Sequence, residues 1–292
     1  MKIGITGASG QLATATLRHL LSRVPASDIV AVTRNPEKVG GAREKGVEVR
    51  PGDFDDRRSL LLAFRKLDRL LMIPTSDTRT GVRTVQHLAA VDAAEECGVG
   101  HVAYISTVGA WPDGKDTLFE SHFVTEQALI RTGMAWTFLR ASLYAELLLG
   151  GAKRAAATGV YAAPVGGPIG YAARDDIAAA AAGILTTSNH GGKTYFATGP
   201  AAMGPLDVAA AISAAIGKPI RHTELTDEQV RQGMASDNVP ADIIERLMDV
   251  LGNVRAGAFD LVSGDIARLS GKQPETVTDF LKRNLAALSA GA

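Results

Sequence analysis

Cysteine is almost absent from this chain. Cys97 is the single one among 292 residues. That excludes an internal disulfide and a cysteine-built metal site, and it fits a reducing, cytoplasmic setting. An excess of charge of either sign is also missing. Lys and Arg number 31, as do Asp and Glu, for a formal charge of zero. The chain therefore lacks the net positive field of a phosphate-backbone binder, and Arg57-Arg58 is too short for a basic stripe. No apolar run reaches the roughly eighteen residues of a membrane-spanning helix. The first apolar run, 3–6, is too short for the core of a secretion signal. His19, His87, His101, His190 and His222 show no metal-ligand spacing, so no metal site is expected. Gly-x-Ser-x-Gly is absent, which removes the nucleophile-elbow class of hydrolases.

What is present is an ordinary globular composition, 46% hydrophobic and 21% charged, long enough to bury a core without staples. Apolar runs predict strands over 3–6, 29–33, 47–50, 69–73, 101–106 and 135–140. Amphipathic patterns predict helices over 11–22, 36–45, 55–65, 78–97 and 119–132, with Asp55 or Asp56 at the cap of the third. Strands apolar throughout, alternating with helices, specify a parallel sheet covered on both faces. Right-handed crossovers make it a Rossmann-type, doubly wound α/β fold. The second half is less regular. Breaks are expected at 150–151 and 166–168, with short strands in 161–173, 194–198 and 220–225. Helices are expected over 174–187, 205–216, 227–234, 240–251 and 274–287. The expected organisation is a dinucleotide-binding domain over 1–150 and a smaller, mixed carboxyl-terminal lobe over 151–292, interleaved with it. The ligand crevice of such a fold lies outside the carboxyl ends of the strands.

The first strand-to-helix turn reads Gly7-Ala8-Ser9-Gly10-Gln11-Leu12-Ala13. Gly7 permits a tight turn, Gly10 lets a pyrophosphate approach the backbone, and the helix start supplies unpaired N–H groups and a positive dipole end. Gly7, Ser9, Gly10, Gln11 and Leu12 are accordingly expected to bind the cofactor. An NAD enzyme usually has an acid at the end of the second strand, to hold the ribose 2′-OH. Here that place holds Thr33-Arg34, with Lys38 nearby. A guanidinium suits a 2′-phosphate, so NADPH is favoured over NADH. Asp53 is expected to take the adenine amino group and Phe54 to pack on the ring, or else to serve as helix cap and core residue. Met72, Ile73 and Pro74 end the fourth strand, and Ser106 and Thr107 the fifth. These five are expected along the ribose–nicotinamide channel, with simple strand capping the other reading for the last two. Trp111 and Tyr144 are candidates for the substrate wall, against ordinary packing. His122 is the one side chain placed to act as acid or base near neutral pH, against a purely structural hydrogen bond. Asp175-Asp176 is expected to cap its helix.

These residues carry a family resemblance. The stretch 5–12, the stretch 29–36, Leu70 to Ile73, then His122, Thr125 and Glu126, and Thr137 to Arg140 resemble the atypical short-chain dehydrogenases of the NmrA-like group. The likeness is greatest to the bacterial NADPH quinone oxidoreductases and triphenylmethane reductases, and it covers most of the chain. The resemblance implies a nucleotide lobe, a small carboxyl-terminal lobe, and a small-molecule substrate between them. It also implies hydride transfer from NADPH to a quinone-like or other conjugated carbonyl acceptor, without nucleic acid or membrane. His122 falls at the tyrosine place of the classical short-chain dehydrogenases, and Glu126 or Gln127 at the lysine place. The related quinone reductases carry Lys where this chain has Gln127, and Asn where it has Ala141. Two alternatives stay open at this point: an NADP(H)-sensing binding protein without turnover, and a non-redox biosynthetic enzyme on the same fold. A homodimer is compatible with the sequence, which sets no oligomeric state.

Overall fold

The computed structural model describes residues 1–77, 79, 81–114 and 117–286. The first half alternates as the pattern requires: β1 (Ile3–Ile5), α1 (Gln11–Leu21), β2 (Ile29–Thr33), α2 (Gly40–Glu44), β3 (Glu48–Pro51), α3 (Arg57–Phe64), β4 (Arg69–Met72), α4 (Val82–Glu96), β5 (His101–Thr107), α5 (Leu118–Arg131) and β6 (Ala135–Ala141). Then come α6 (Leu148–Thr158), β7 (Val160–Pro164), α7 (Arg174–Thr186), β8 (Lys193–Ala197), α8 (Pro205–Ile216), β9 (Arg221–Leu225), α9 (Asp227–Ser236), α10 (Ala241–Arg255), α11 (Asp265–Ser270) and α12 (Val277–Arg283).

Seven strands form one sheet in the order β3-β2-β1-β4-β5-β6-β8. The ladders from β3 through β6 are parallel. The order reverses direction at β1, so the carboxyl ends of β1 and β4 diverge there and leave the crevice that this topology predicts. Every residue of β1 and β2 is buried, as expected for strands covered on both faces. Val30, Val32, Leu60, Phe64, Leu70, Met72, Tyr104 and Phe138 form the core on the face that α3 and α4 cover. Asp56 caps α3, accepting from the N–H groups of Arg58 at 3.0 Å and Ser59 at 3.2 Å, a cap worth about 1 kcal/mol.

The chain divides into two compact units. The first comprises Met1–Ala141, Ile177–Phe196 and Asp265–Gly271. The second comprises Ser142–Asp176, Ala197–Gly264 and the chain from Lys272 onward. Its own core gathers Leu148, Ala152, Tyr161, Val208, Ile212 and Phe280, and β7 pairs in parallel with β9. Among the described residues no helix is long and apolar enough to cross a membrane.

Four expectations need correction. The expected break at 150–151 lies inside α6. Glycine costs about 1 kcal/mol in a helix, but a Cβ on Gly151 would stand 3.0 Å from the ring of Tyr161, so the packing wants glycine there. The strand at 194–198 is not part of the small lobe's own sheet; as β8 it is the last strand of the main sheet. The expected helix over 36–45 is a short 3-10 turn, Pro36–Val39, followed by α2; the two are separated at Val39, which has a non-helical backbone at φ −116 and ψ 25. Helix α11 was not expected. Thr78 and Ala287, end residues of two predicted helices, lie outside the described residues.

Candidate functional site

The glycine turn has the geometry that its residues require. Gly7 sits at φ +62, where a side chain is strained. The Ala8 N–H donates to Val32 O at 3.0 Å, and the Gly10 N–H to Gly7 O at 2.8 Å. A Cβ on Gly10 would meet Gly7 O at 3.1 Å. Helix α1 opens at Gly10 with no side-chain cap and no acidic residue in its first turn. The amides of Gln11, Leu12 and Ala13 therefore precede the first intrahelical bond. They present a positive dipole end that no carboxylate neutralises, an arrangement suited to a phosphate group.

Around this turn lies a pocket built from the ends of β1, β2, β3 and β4. Gly7, Ser9 and Gly10 line it on one side, Arg34, Asp53 and Phe54 on a second, and Ile73 and Pro74 on a third. The structure places these eight residues around one pocket. Ser9 and Thr33 link turn to strand: their hydroxyls lie 3.2 Å apart, and Thr33 Oγ1 accepts the Asn35 N–H at 3.2 Å. Arg34 and Lys38 are both exposed, and among the described residues neither has a carboxylate partner. Lys38 does not line the pocket. Asp53 Oδ1 accepts the Asp55 N–H at 3.1 Å. Phe54 both lines the pocket and packs on the core.

Sequence reasoning missed Thr75, Ser76 and Gln86 as individual site residues. All three line the pocket. Gln86 is 3% exposed. Its Nε2 donates to both oxygens of Asp55 at 2.9 Å, which turns Oε1 the other way. That oxygen is buried without a partner. A purine amino group is a fitting donor for such an acceptor. With the uncapped helix start and the arginine, the residues fit a phosphorylated adenine dinucleotide. Nothing local in the sequence singles out Gln86, which stands among other polar residues, Arg83, Thr84 and His87, in the first turns of α4.

Several expected site residues stand elsewhere. Met72 is fully buried in the core, because strand alternation turns it to the opposite face from Ile73. Leu12 packs its side chain inward, so it offers the backbone only, whereas Gln11 is exposed. Ser106 is buried and donates its hydroxyl to Glu126 Oε1 at 2.6 Å. Thr107 Oγ1 donates to Val108 O at 3.1 Å. Neither lines the pocket. Trp111 stacks on Phe119, with ring centroids 5.6 Å apart. Tyr144, in the second unit, lies under the Arg174 guanidinium at 5.1 Å.

His122 is 4% exposed and engaged at both ring nitrogens. Arg83 Nη2 lies 3.1 Å from its Nε2, and Tyr104 Oη 2.8 Å from its Nδ1. Burial, then the Arg83 charge, hold its pKa well below the usual value. A buried imidazole with both nitrogens in use and its pKa lowered matches the structural alternative offered for His122 more closely than the acid–base role. His87 lies beside it, ring centroids 6.2 Å apart. Burial, then Arg83, depress its pKa to about 3.

Comparison with known proteins shows what the chain is similar to. The NmrA-like family matches residues 1–281. Quinone oxidoreductase 2 of Escherichia coli is 34% identical over 283 residues, covering 95% of this chain and 96% of that protein. The crystal structure of the Escherichia coli NADPH-dependent quinone oxidoreductase complexed with NADPH superposes with a TM-score of 0.90 at 32% identity, over 97% of this chain and 99% of that one. The triphenylmethane reductase of Citrobacter complexed with NADP(H) gives a TM-score of 0.89 at 31% identity, again over 97% and 99%.

Proposed function

This chain belongs to the NmrA-like family, and from that premise we propose that it is an NADPH-dependent oxidoreductase whose acceptor is a quinone or another flat, conjugated carbonyl compound. In the coarser sense it is an NAD(P)H-dependent oxidoreductase, in line with its relatives. One observation carries the cofactor reading. An uncapped helix start and an exposed arginine without a carboxylate partner open on the same pocket, and no acid stands at the end of β2.

In this reading the amides of Gln11, Leu12 and Ala13 hold the pyrophosphate and Arg34 the 2′-phosphate. Asp53 and Gln86 take the adenine amino group, and Phe54 packs on the ring. Ile73 and Pro74 give an apolar wall that keeps water from the cofactor. When bound, the dihydronicotinamide supplies the hydride; the protein supplies binding, orientation and exclusion of water. The acceptor class follows from where the protons are. The Ser106 hydroxyl donates its hydrogen bond to Glu126, and His122 is neutral with both nitrogens engaged. A quinone needs least from such a site, because its reduction yields a stabilised phenolate that can take its proton from solvent. A simple ketone would need an acid at the carbonyl oxygen. The experiment is NADPH oxidation by the purified protein across quinones, enones and simple ketones. Turnover is expected with quinones and not with ketones.

A further inference from the structure

Ile73, Pro74 and Thr75, after β4, form one wall of the nucleotide pocket, and none of the three has a backbone N–H to offer a ligand. Ile73 donates its N–H to Thr6 Oγ1 at 2.8 Å, and the Thr6 hydroxyl reaches Ile73 O at 3.1 Å. Pro74 has no N–H. Thr75 donates its N–H to His87 Nε2 at 3.2 Å, and its carbonyl accepts from Arg83 Nη1. Thr6, Arg83 and His87 are all buried. Three side chains, Thr6 just after β1 and Arg83 and His87 from α4, thus take up both polar groups of Ile73 and both of Thr75.

The proton positions behind this wall follow from its donors. The Thr75 amide can only donate, so His87 Nε2 carries no proton. Its Nδ1 must then carry one, and it finds Thr125 Oγ1 at 3.0 Å. The Thr125 hydroxyl donates in turn to Ser121 O at 2.6 Å. Arg83 has no acceptor atom, so His122 Nε2 at 3.1 Å is likewise bare, and His122 Nδ1–H donates to Tyr104 Oη. Arg83 is held on its far side by Ser121 Oγ at 3.1 Å. Arg83, Tyr104 and His122 are the titratable groups that face His87, with the Phe54 ring edge-on at 6.4 Å. A proton added to His87 would set one N–H against another at Thr75.

We propose that His87 and Arg83 are positioning residues of the cofactor pocket: with Thr6 they hold the wall formed by Ile73, Pro74 and Thr75 in its binding conformation before the dinucleotide arrives. The inference rests on the NADPH reading above and deepens it. A wall ordered in advance leaves less conformational freedom to lose on binding. Because Ile73, Pro74 and Thr75 have no spare N–H, these three meet the cofactor with carbonyl, hydroxyl and apolar surface.

The test is a titration of NADPH and NADH into wild-type protein, His87→Leu and His87→Gln, followed by nucleotide fluorescence. His87→Leu removes the acceptor for the Thr75 amide; His87→Gln returns one at similar reach. The expected result is a Kd raised about tenfold in His87→Leu by the same factor for both nucleotides, with most of it recovered in His87→Gln. A folded His87→Leu protein that binds within twofold of wild type, whatever its melting temperature, overturns the proposal. The imidazole nitrogens of ¹⁵N-labelled wild-type protein give a second measurement that needs no variant. A neutral, Nδ1-protonated His87 is expected with and without NADPH; an Nε2-protonated ring, or one titrating near 6.5, overturns the clamp. Wild-type protein that binds no nucleotide would overturn the cofactor reading instead, and the nitrogen spectra would still decide the clamp.

Discussion

Arg140 grips Glu126 with two arms of its guanidinium, Nε to Oε1 at 2.9 Å and Nη2 to Oε2 at 2.6 Å. Glu126 is 2% exposed and Arg140 25%. Ser106 adds a third donor to the same carboxylate. The pair therefore ties β5, α5 and β6 together at the carboxyl end of the sheet. Removing one partner of a buried pair leaves the other charge uncompensated. Glu126→Ala should destabilise the protein by about 3 kcal/mol, the low end of the range because Arg140 reaches solvent. Glu126→Gln, which keeps acceptor and shape, should lose less. Chemical denaturation of both variants checks the order; equal losses would show that the charge alone, and not the shape or the acceptor, accounts for the effect.

Stability should fall on mild acidification. Folded His87 stays neutral down to about 3, whereas the ordinary value is 6.5. Between those values the unfolded chain binds the extra proton, so unfolding gains as the pH drops. The contribution is fully present above 6.5 and is lost progressively toward about 3; His122, shifted in the same direction, adds to it. Melting temperature against pH should slope downward through this window, and less steeply in His87→Gln. A slope identical in both proteins would contradict the assignment.

Arg34→Ala should separate the two nicotinamide cofactors. A hydrogen bond to a charged group contributes about 1.5–3 kcal/mol, or roughly ten- to hundredfold in affinity. NADPH binding should weaken by that factor while NADH binding stays as it was. Equal loss for both would place the arginine away from the 2′-phosphate.

Gly10→Ala should do the reverse. Gly10 has an ordinary extended backbone, φ −82 and ψ 159, so alanine is conformationally allowed there. The new methyl would sit 3.1 Å from Gly7 O, beside the amides that hold the pyrophosphate. Affinity for NADPH and NADH should fall together, by about tenfold or more, with a change in stability of about 1 kcal/mol or less. Discrimination between the two cofactors would contradict a pyrophosphate role.

The parts of this site that were legible in the sequence are those fixed by local backbone. Gly7 and Gly10 answer to a turn within four residues, and Arg34 to the end of one strand. Asp53 and Phe54 follow another strand end. What was not legible depends on direction. Met72 and Ile73 are neighbours, yet strand alternation sends one to the core and the other to the pocket, and a run apolar throughout gives no sign of which. His122 reads as an acid on a helix; only the rotation of α5 shows that it faces Arg83 and Tyr104. Gln86 and His87 likewise gain meaning from the loop that α4 packs against. Helix α6 shows tertiary packing overriding propensity at Gly151. Strand β8 returns to the main sheet more than fifty residues after β6 ends, a pairing without local trace.

The most direct measurement is steady-state NADPH oxidation by the purified protein with a panel of quinones, beside Arg34→Asp. The account predicts turnover with a quinone, preference for NADPH over NADH, and loss of that preference in Arg34→Asp. Tight NADPH binding without turnover on any quinone, enone or dye would contradict it.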